Sequence, residues 1–154
     1  MRGVDKRKAS WFVLPVPSNS LEQKNCGNFP LFQQDSRFTD DTVLTIAIAD
    51  SILRQTDYAV SLREFGRRYP RAGYGKSFKE WLFKEDNRPY RSWGNGSAMR
   101  VAPIGFAFND IESVLLEAKH SAEVTHNHPE GIKGAQATAL AVFLARQGES
   151  KETI

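Results

Sequence analysis

The stretch from Asp41 to Arg54 constrains the fold more than any other part of the chain. Val43, Leu44, Ile46, Ala47, Ile48, Ala49, Ile52 and Leu53 cover nearly the whole circumference of a helix there, with Thr42, Thr45 and Asp50 as the polar interruptions. A helix that apolar all round is expected in the interior of a larger assembly of helices. It opens with Phe38-Thr39-Asp40-Asp41-Thr42, two adjacent carboxylates flanked by hydroxyls. Two uses of these residues compete. Thr and Asp at a helix start cap free amides and complement the helix dipole. The same side chains also offer hard oxygen ligands, so Thr39, Asp40 and Asp41 together suit Mg²⁺, Mn²⁺ or Ca²⁺. Capping is the commoner use, and these five residues alone leave both readings open.

The remaining pattern is helical too. Residues 1–37 show no sustained periodicity and hold Pro15, Pro17, Pro30 and Gly27, which reads as loop. An amphipathic helix is expected from Tyr58 to Tyr69, ending before Pro70 because the residue ahead of a proline is pushed out of the helical region. A short aromatic helix follows from Ser77 to Lys84, then a helix-like run from Ala98 to Phe108 that Pro103 should kink or end. Next, Ile111, Val114, Leu115, Ala118 and Ala122 form one apolar stripe behind Asn109, with Glu112 three residues on, the pattern of a capping box. The last helix is expected from Gly134 to Arg146, rich in small alanines that let backbones approach. No segment makes a persuasive strand, so the reading is an all-α domain.

With 154 residues the chain fits one domain able to bury a real core. Its single cysteine, Cys26, excludes an internal disulfide framework and a cysteine zinc site, which suits a reducing cytoplasm. No run approaches the roughly 18 apolar residues a membrane span needs, and the basic start leads into no signal-peptide pattern. The net charge of +3 is carried by dispersed residues rather than a dense stripe. That argues against a nucleic-acid partner and is equally compatible with a small phosphate-bearing ligand.

Three further clusters carry chemical potential. Gly94-Asn95-Gly96-Ser97, ahead of the expected helix at Ala98, offers unobstructed amides for a diphosphate, or is simply a turn. Thr125-His126-Asn127-His128-Pro129 brings two imidazoles close together, with no third nitrogen or sulfur ligand nearby for a transition metal. Tyr69-Pro70-Arg71-Ala72-Gly73-Tyr74-Gly75 sets aromatics on a constrained loop, to stack on an adenine or to pack a corner.

Taken in order, FTDDT, RRYPRAGYGKSFKEW, PYRSWGNGSAMRVAPIG and EAKHSAEVTHNHPEGIKGAQATA resemble the successive motifs of the ADP-ribosylglycohydrolase family, which includes the enzyme that reactivates dinitrogenase reductase. The resemblance covers residues 28–147. It implies an orthogonal bundle of helices, of which this chain would be the N-terminal portion, with residues 1–27 as an irregular leader and 28–154 as a partial domain. It further implies a dinuclear Mg²⁺ or Mn²⁺ centre and hydrolysis of ADP-ribose from a modified side chain or a small ADP-ribosyl compound. On that basis Thr39, Asp40 and Asp41 match the first metal-ligand cluster, Asp40 and Asp41 also serving catalysis. Gly94, Asn95, Gly96 and Ser97 match the ADP-ribose loop, with Asn95 a direct contact. His126 matches a histidine lining the cleft, His128 and Pro129 belong to the same motif, and Tyr74 and Trp93 are candidate cleft aromatics. The chain has no distal Asp-x-Asp-Thr motif, which implies an incomplete centre, and it lacks the Gly-Asp-x-x-Gly segment near the start. Glu22, in Ser20-Leu21-Glu22, is left as the candidate acid, base or water-positioning glutamate. The alternative function is an inactive family member or an ADP-ribose-binding module.

Overall fold

The computed structural model describes Gln34, residues 36–86 and residues 88–154. Glu22 and the expected leader lie outside the described residues, which contain six helices and no strand, the all-α architecture expected. They are α1 (Asp40–Arg54), α2 (Tyr58–Arg68), α3 (Lys76–Phe83), α4 (Ala102–Ala107), α5 (Ile111–Glu123) and α6 (Pro129–Gln147). Among the described residues no helix is long and apolar enough to cross a membrane.

Local chemistry sets the boundaries. Asp57 caps α2, its carboxylate accepting from Ala59 N at 2.6 Å. Gly148 ends α6 with φ at +89°, the left-handed conformation that lets its own amide and that of Glu149 turn back to Ala145 and Leu144. Four expectations about caps and boundaries need correction. The cap of α5 is Asp110, whose carboxylate accepts from Ser113 N at 2.8 Å, while Asn109 instead accepts from Arg146. Pro103 sits in the first turn of α4 and begins that helix, because its missing N–H would have no partner there anyway. The run before it, residues 95–100, is a succession of turns. Finally, α6 starts five residues before Gly134, at Pro129 behind the cap His128.

Helix α6 is the spine of the packing, with α5 and α4 against it, while α1 lies against α2 and α4. Ala135 and Ala139 are fully buried, and the closeness they permit is tight. A methyl group on Gly105 of α4 would lie 2.6 Å from the carbonyl oxygen of Ala139. The expected all-round burial of α1 is not what forms. Val43, Leu44, Ala47 and Ile48 enter the core, but Ile46 and Leu53 are 45% and 79% exposed. The helix sits at the edge of the described bundle, so only one side of its apolar surface meets other helices.

Candidate functional site

The start of α1 is held by its neighbours in space rather than by a side-chain cap. Thr39 occupies the cap position, yet its hydroxyl makes no cap hydrogen bond and donates instead to Asp41 Oδ2 at 3.1 Å. Asp40 N donates to Ala72 O at 2.7 Å, tying the helix start to the loop after α2. Phe38 packs edge-on against Tyr69 in that loop, with ring centroids 5.5 Å apart. Thr45, one turn along α1, donates to Asp41 O at 2.6 Å, with Met99 O 3.4 Å away on its other side. The acidic pair is thereby positioned against residues 90–100.

Those residues form a loop framed from behind by the α5–α6 connection. Ser92 N donates to Thr125 O at 3.3 Å, and the buried Ser97 hydroxyl donates to Gly131 O at 2.8 Å. Met99 N closes the turn onto Asn95 O at 2.9 Å. A Cβ on Gly96 would stand 2.9 Å from both Cε1 and Nε2 of His126, so the absence of a side chain there is what admits the imidazole. Gly94 is different. Its nearest neighbour would be Ser92 Oγ at 3.6 Å, ordinary contact.

Between these segments lies an open cavity of about 250 Å³. Its wall includes Asp40, Lys76 and Tyr90, with Gly94, Asn95, Gly96, Arg100 and His126. Four separate motifs of the sequence therefore converge on one space. The electrostatics there are unusual for so small a site. Burial and the neighbouring Asp41 charge raise the Asp40 pKa above the ordinary carboxylate range. Arg100 is fully buried and makes no ion pair with a carboxylate among the described residues. Its Nη2 donates to Ser121 O at 2.8 Å and Thr125 Oγ1 at 2.9 Å, while Nε and Nη1 have no partner among the described residues. Burial pushes its pKa down to about 10, which still leaves it charged at neutral pH. Burial first, and Arg100 second, push His126 down to about 4, so this imidazole is neutral at pH 7.

The donor set for a divalent cation is of the right chemical kind but small. Asp40 and Asp41 are adjacent carboxylates whose mutual repulsion a cation would relieve, and the Thr39 oxygen is beside them. No group of three or more His, Cys, Asp or Glu side chains that could hold a metal forms among the described residues. The residues present thus fit part of the shell of one hard cation and do not complete a pair. His126 and His128 are otherwise engaged, His126 Nδ1 with Thr125 Oγ1 at 2.8 Å and His128 Nδ1 accepting from Glu130 N at 3.2 Å as the α6 cap.

Asp40, Gly94, Asn95, Gly96 and His126 are brought together on the cavity wall; Thr39, Asp41 and Ser97 stand behind or beside it. Tyr74 packs the corner, buried against Phe78 with centroids 5.2 Å apart. Trp93 is 77% exposed, its ring 6.1 Å from that of His128. The Gly94–Ser97 loop does not lie at the start of α4, so the amides of that helix start do not extend it as the sequence suggested. Sequence reasoning assigned no role to Arg100, Thr125, Tyr90 or Lys76. One signal was available for the first: an arginine between Met99 and Val101, in a run otherwise apolar from Ala98 to Phe108, has to be buried with its charge.

The ADP-ribosylglycohydrolase family model matches residues 6–154. Among curated relatives, ADP-ribosylhydrolase ARH3 of Gallus gallus is 39% identical over 136 residues, 75% of this chain and 37% of the relative. ADP-ribosylhydrolase ARH3 of Homo sapiens is 36% identical over 132 residues, covering 73% and 36%. ADP-ribosylarginine hydrolase Tri1 of Pseudomonas putida is 27% identical over 146 residues, covering 82% and 39%. The chain spans little more than a third of the length of the curated relatives it matches. A family match over nearly the whole chain, with four family motifs in order and all four meeting at one cavity, makes this chain a member of the ADP-ribosylglycohydrolase family.

Proposed function

We propose that this chain carries the ADP-ribose-recognising part of an ADP-ribosyl glycohydrolase site, and that it acts with Mg²⁺ or Mn²⁺ on ADP-ribosylated side chains or small ADP-ribosyl compounds. The observation that carries the reading is the convergence of Asp40, the Gly94–Gly96 loop and His126 on one polar cavity. In the reaction, the bond between the anomeric carbon and the side-chain nitrogen or oxygen breaks, water adds to that carbon, and the leaving group takes a proton. Positive charge grows on the ribose as the bond breaks, and the Asp40 and Asp41 carboxylates are fixed charges of the sign that stabilises it. The amides of Gly94, Asn95 and Gly96 suit the diphosphate, with Lys76 and Arg100 adding positive potential from the same wall. Ser97 contributes by framing this loop, since its hydroxyl is committed to Gly131. A cation held by Thr39, Asp40 and Asp41 would supply Lewis-acid polarisation beside the ribose. Glu22 stays the candidate proton-transfer or water-positioning residue.

One observation favours a second reading, ADP-ribose binding without turnover: the described residues offer only two carboxylates and a hydroxyl to metal. An assay of ADP-ribose release from an ADP-ribosylated peptide, with Mn²⁺ or with chelator, separates the two. Release that needs Mn²⁺ and is abolished by Asp40→Asn supports hydrolysis. Binding of ADP-ribose with no release supports the module, and neither binding nor release would refute both.

A further inference from the structure

Thr125 is the hub of a buried polar chain. Its Oγ1 accepts from Arg100 Nη2 at 2.9 Å and stands 2.8 Å from His126 Nδ1. A threonine hydroxyl has one hydrogen to give and two lone pairs to receive with. Arg100 can only donate, so it takes one lone pair. If the single Thr125 hydrogen goes to His126 Nδ1, the hydroxyl hydrogen and the ring nitrogen are both partnered. The opposite arrangement, with His126 Nδ1–H donating, fills both lone pairs with Arg100 and His126 and leaves the hydrogen of the buried Thr125 hydroxyl without an acceptor among the described residues. Arg100 reinforces the first arrangement, because a hydroxyl that accepts from a cation becomes a stronger donor.

We infer that Arg100, acting through Thr125, is a positioning residue that locks His126 in its Nε2–H tautomer and so presents a fixed hydrogen-bond donor on the Gly96 side of the cavity. Gly96 is the residue whose α-carbon lies against that edge of the ring. The ring has little room to turn, being 5% exposed with Tyr90 6.0 Å from it, centroid to centroid. The charged and titratable groups sharing the cavity with His126 are Arg100 and Tyr90 from the loop, Asp40 from α1 and Lys76 from α3. Burial and, second to it, the Arg100 charge oppose protonation of the imidazole and keep it neutral across the physiological range. A fixed donor there selects ligands with an oxygen acceptor at that point, such as a phosphate or a ribose hydroxyl. This selectivity rests on the reading of the cavity as an ADP-ribose site.

Nitrogen-15 NMR of histidine-labelled protein at neutral pH reads the tautomer directly, with His126→Gln identifying the signals among three histidines. Wild type is expected to show a protonated Nε2 and a bare Nδ1 for His126. Thr125→Val should move both nitrogens to averaged values, Thr125→Ser should restore the wild-type pattern, and Arg100→Met should raise the His126 pKa and weaken the tautomer preference. An Nδ1–H tautomer in wild type overturns the inference without any variant, as does an unchanged pattern in Thr125→Val. The pattern is read without ligand, so a failure of ADP-ribose to bind would strike the proposed function and leave the relay standing.

Discussion

Gly96→Ala is the substitution for which the structure gives the sharpest expectation. The added methyl would lie 2.9 Å from Cε1 and Nε2 of His126, whereas non-bonded carbon contacts settle at about 3.5–4.0 Å. Either the imidazole or the loop has to give by about half an ångström or more. The imidazole is poorly placed to do so, since its Nδ1 is tied to Thr125, which Arg100 holds in turn. Overpacking of this kind costs roughly 1–3 kcal/mol. If the loop absorbs it, ADP-ribose affinity should fall roughly 5- to 150-fold, at 1.4 kcal/mol per tenfold. The backbone conformation adds nothing, because Gly96 is not among the positive-φ residues. Gly94→Ala is the matched control, its new methyl meeting only Ser92 Oγ at 3.6 Å, and should change stability by no more than about 0.5 kcal/mol. Isothermal titration with ADP-ribose and urea unfolding of the three proteins measure both effects. Equal behaviour of Gly96→Ala and wild type, or equal damage from Gly94→Ala, would refute the reasoning.

Stability should depend on pH through His126. Its folded pKa is lowered from 6.5 to about 4, so the unfolded chain takes up a proton first; stability is flat above about pH 7 and falls between about 6.5 and 4. The loss amounts to at most about 3 kcal/mol, and urea midpoints against pH should lose this step in His126→Gln; a step that persists there belongs to another group. Ser97→Ala removes a buried donor from Gly131 O and should cost about 1–3 kcal/mol in the same unfolding assay. Mn²⁺ should raise the melting temperature of wild type and leave that of Asp40→Asn unchanged. Without metal, Asp41→Asn should melt no lower than wild type, because it relieves the repulsion that helps raise the Asp40 pKa. Tight binding of two Mn²⁺ ions would mean a fuller ligand set than these residues make.

Much of the site was legible because its chemistry is local in sequence. Asp40 and Asp41 announce themselves as adjacent carboxylates, and the Gly94–Ser97 loop as a pair of glycines with unobstructed amides. At Thr39 the structure shows no side-chain cap bond, the hydroxyl turning to Asp41 instead. What sequence could not supply are relations between distant residues. Gly96 is small because of His126, and Arg100 is significant because Ser121 and Thr125 meet it from α5 and the turn after it. Periodicity also misjudged α1, since an apolar circumference describes what a helix offers and not how much of it neighbouring helices cover. The reading of Pro103 as a breaker failed for a related reason: a proline is tolerated in the first turn of a helix, and nothing local marks where α4 begins.

The central claim is that the cavity between Asp40 and the Gly94–Gly96 loop receives ADP-ribose. Backbone amide NMR of the labelled chain titrated with ADP-ribose tests it most directly. The account predicts saturable shifts concentrated at Asp40, Gly94, Asn95, Gly96, Arg100 and His126, smaller with AMP and lost in Gly96→Val. A well-dispersed spectrum that shows no shifts, or shifts confined to surfaces away from these residues, would contradict it.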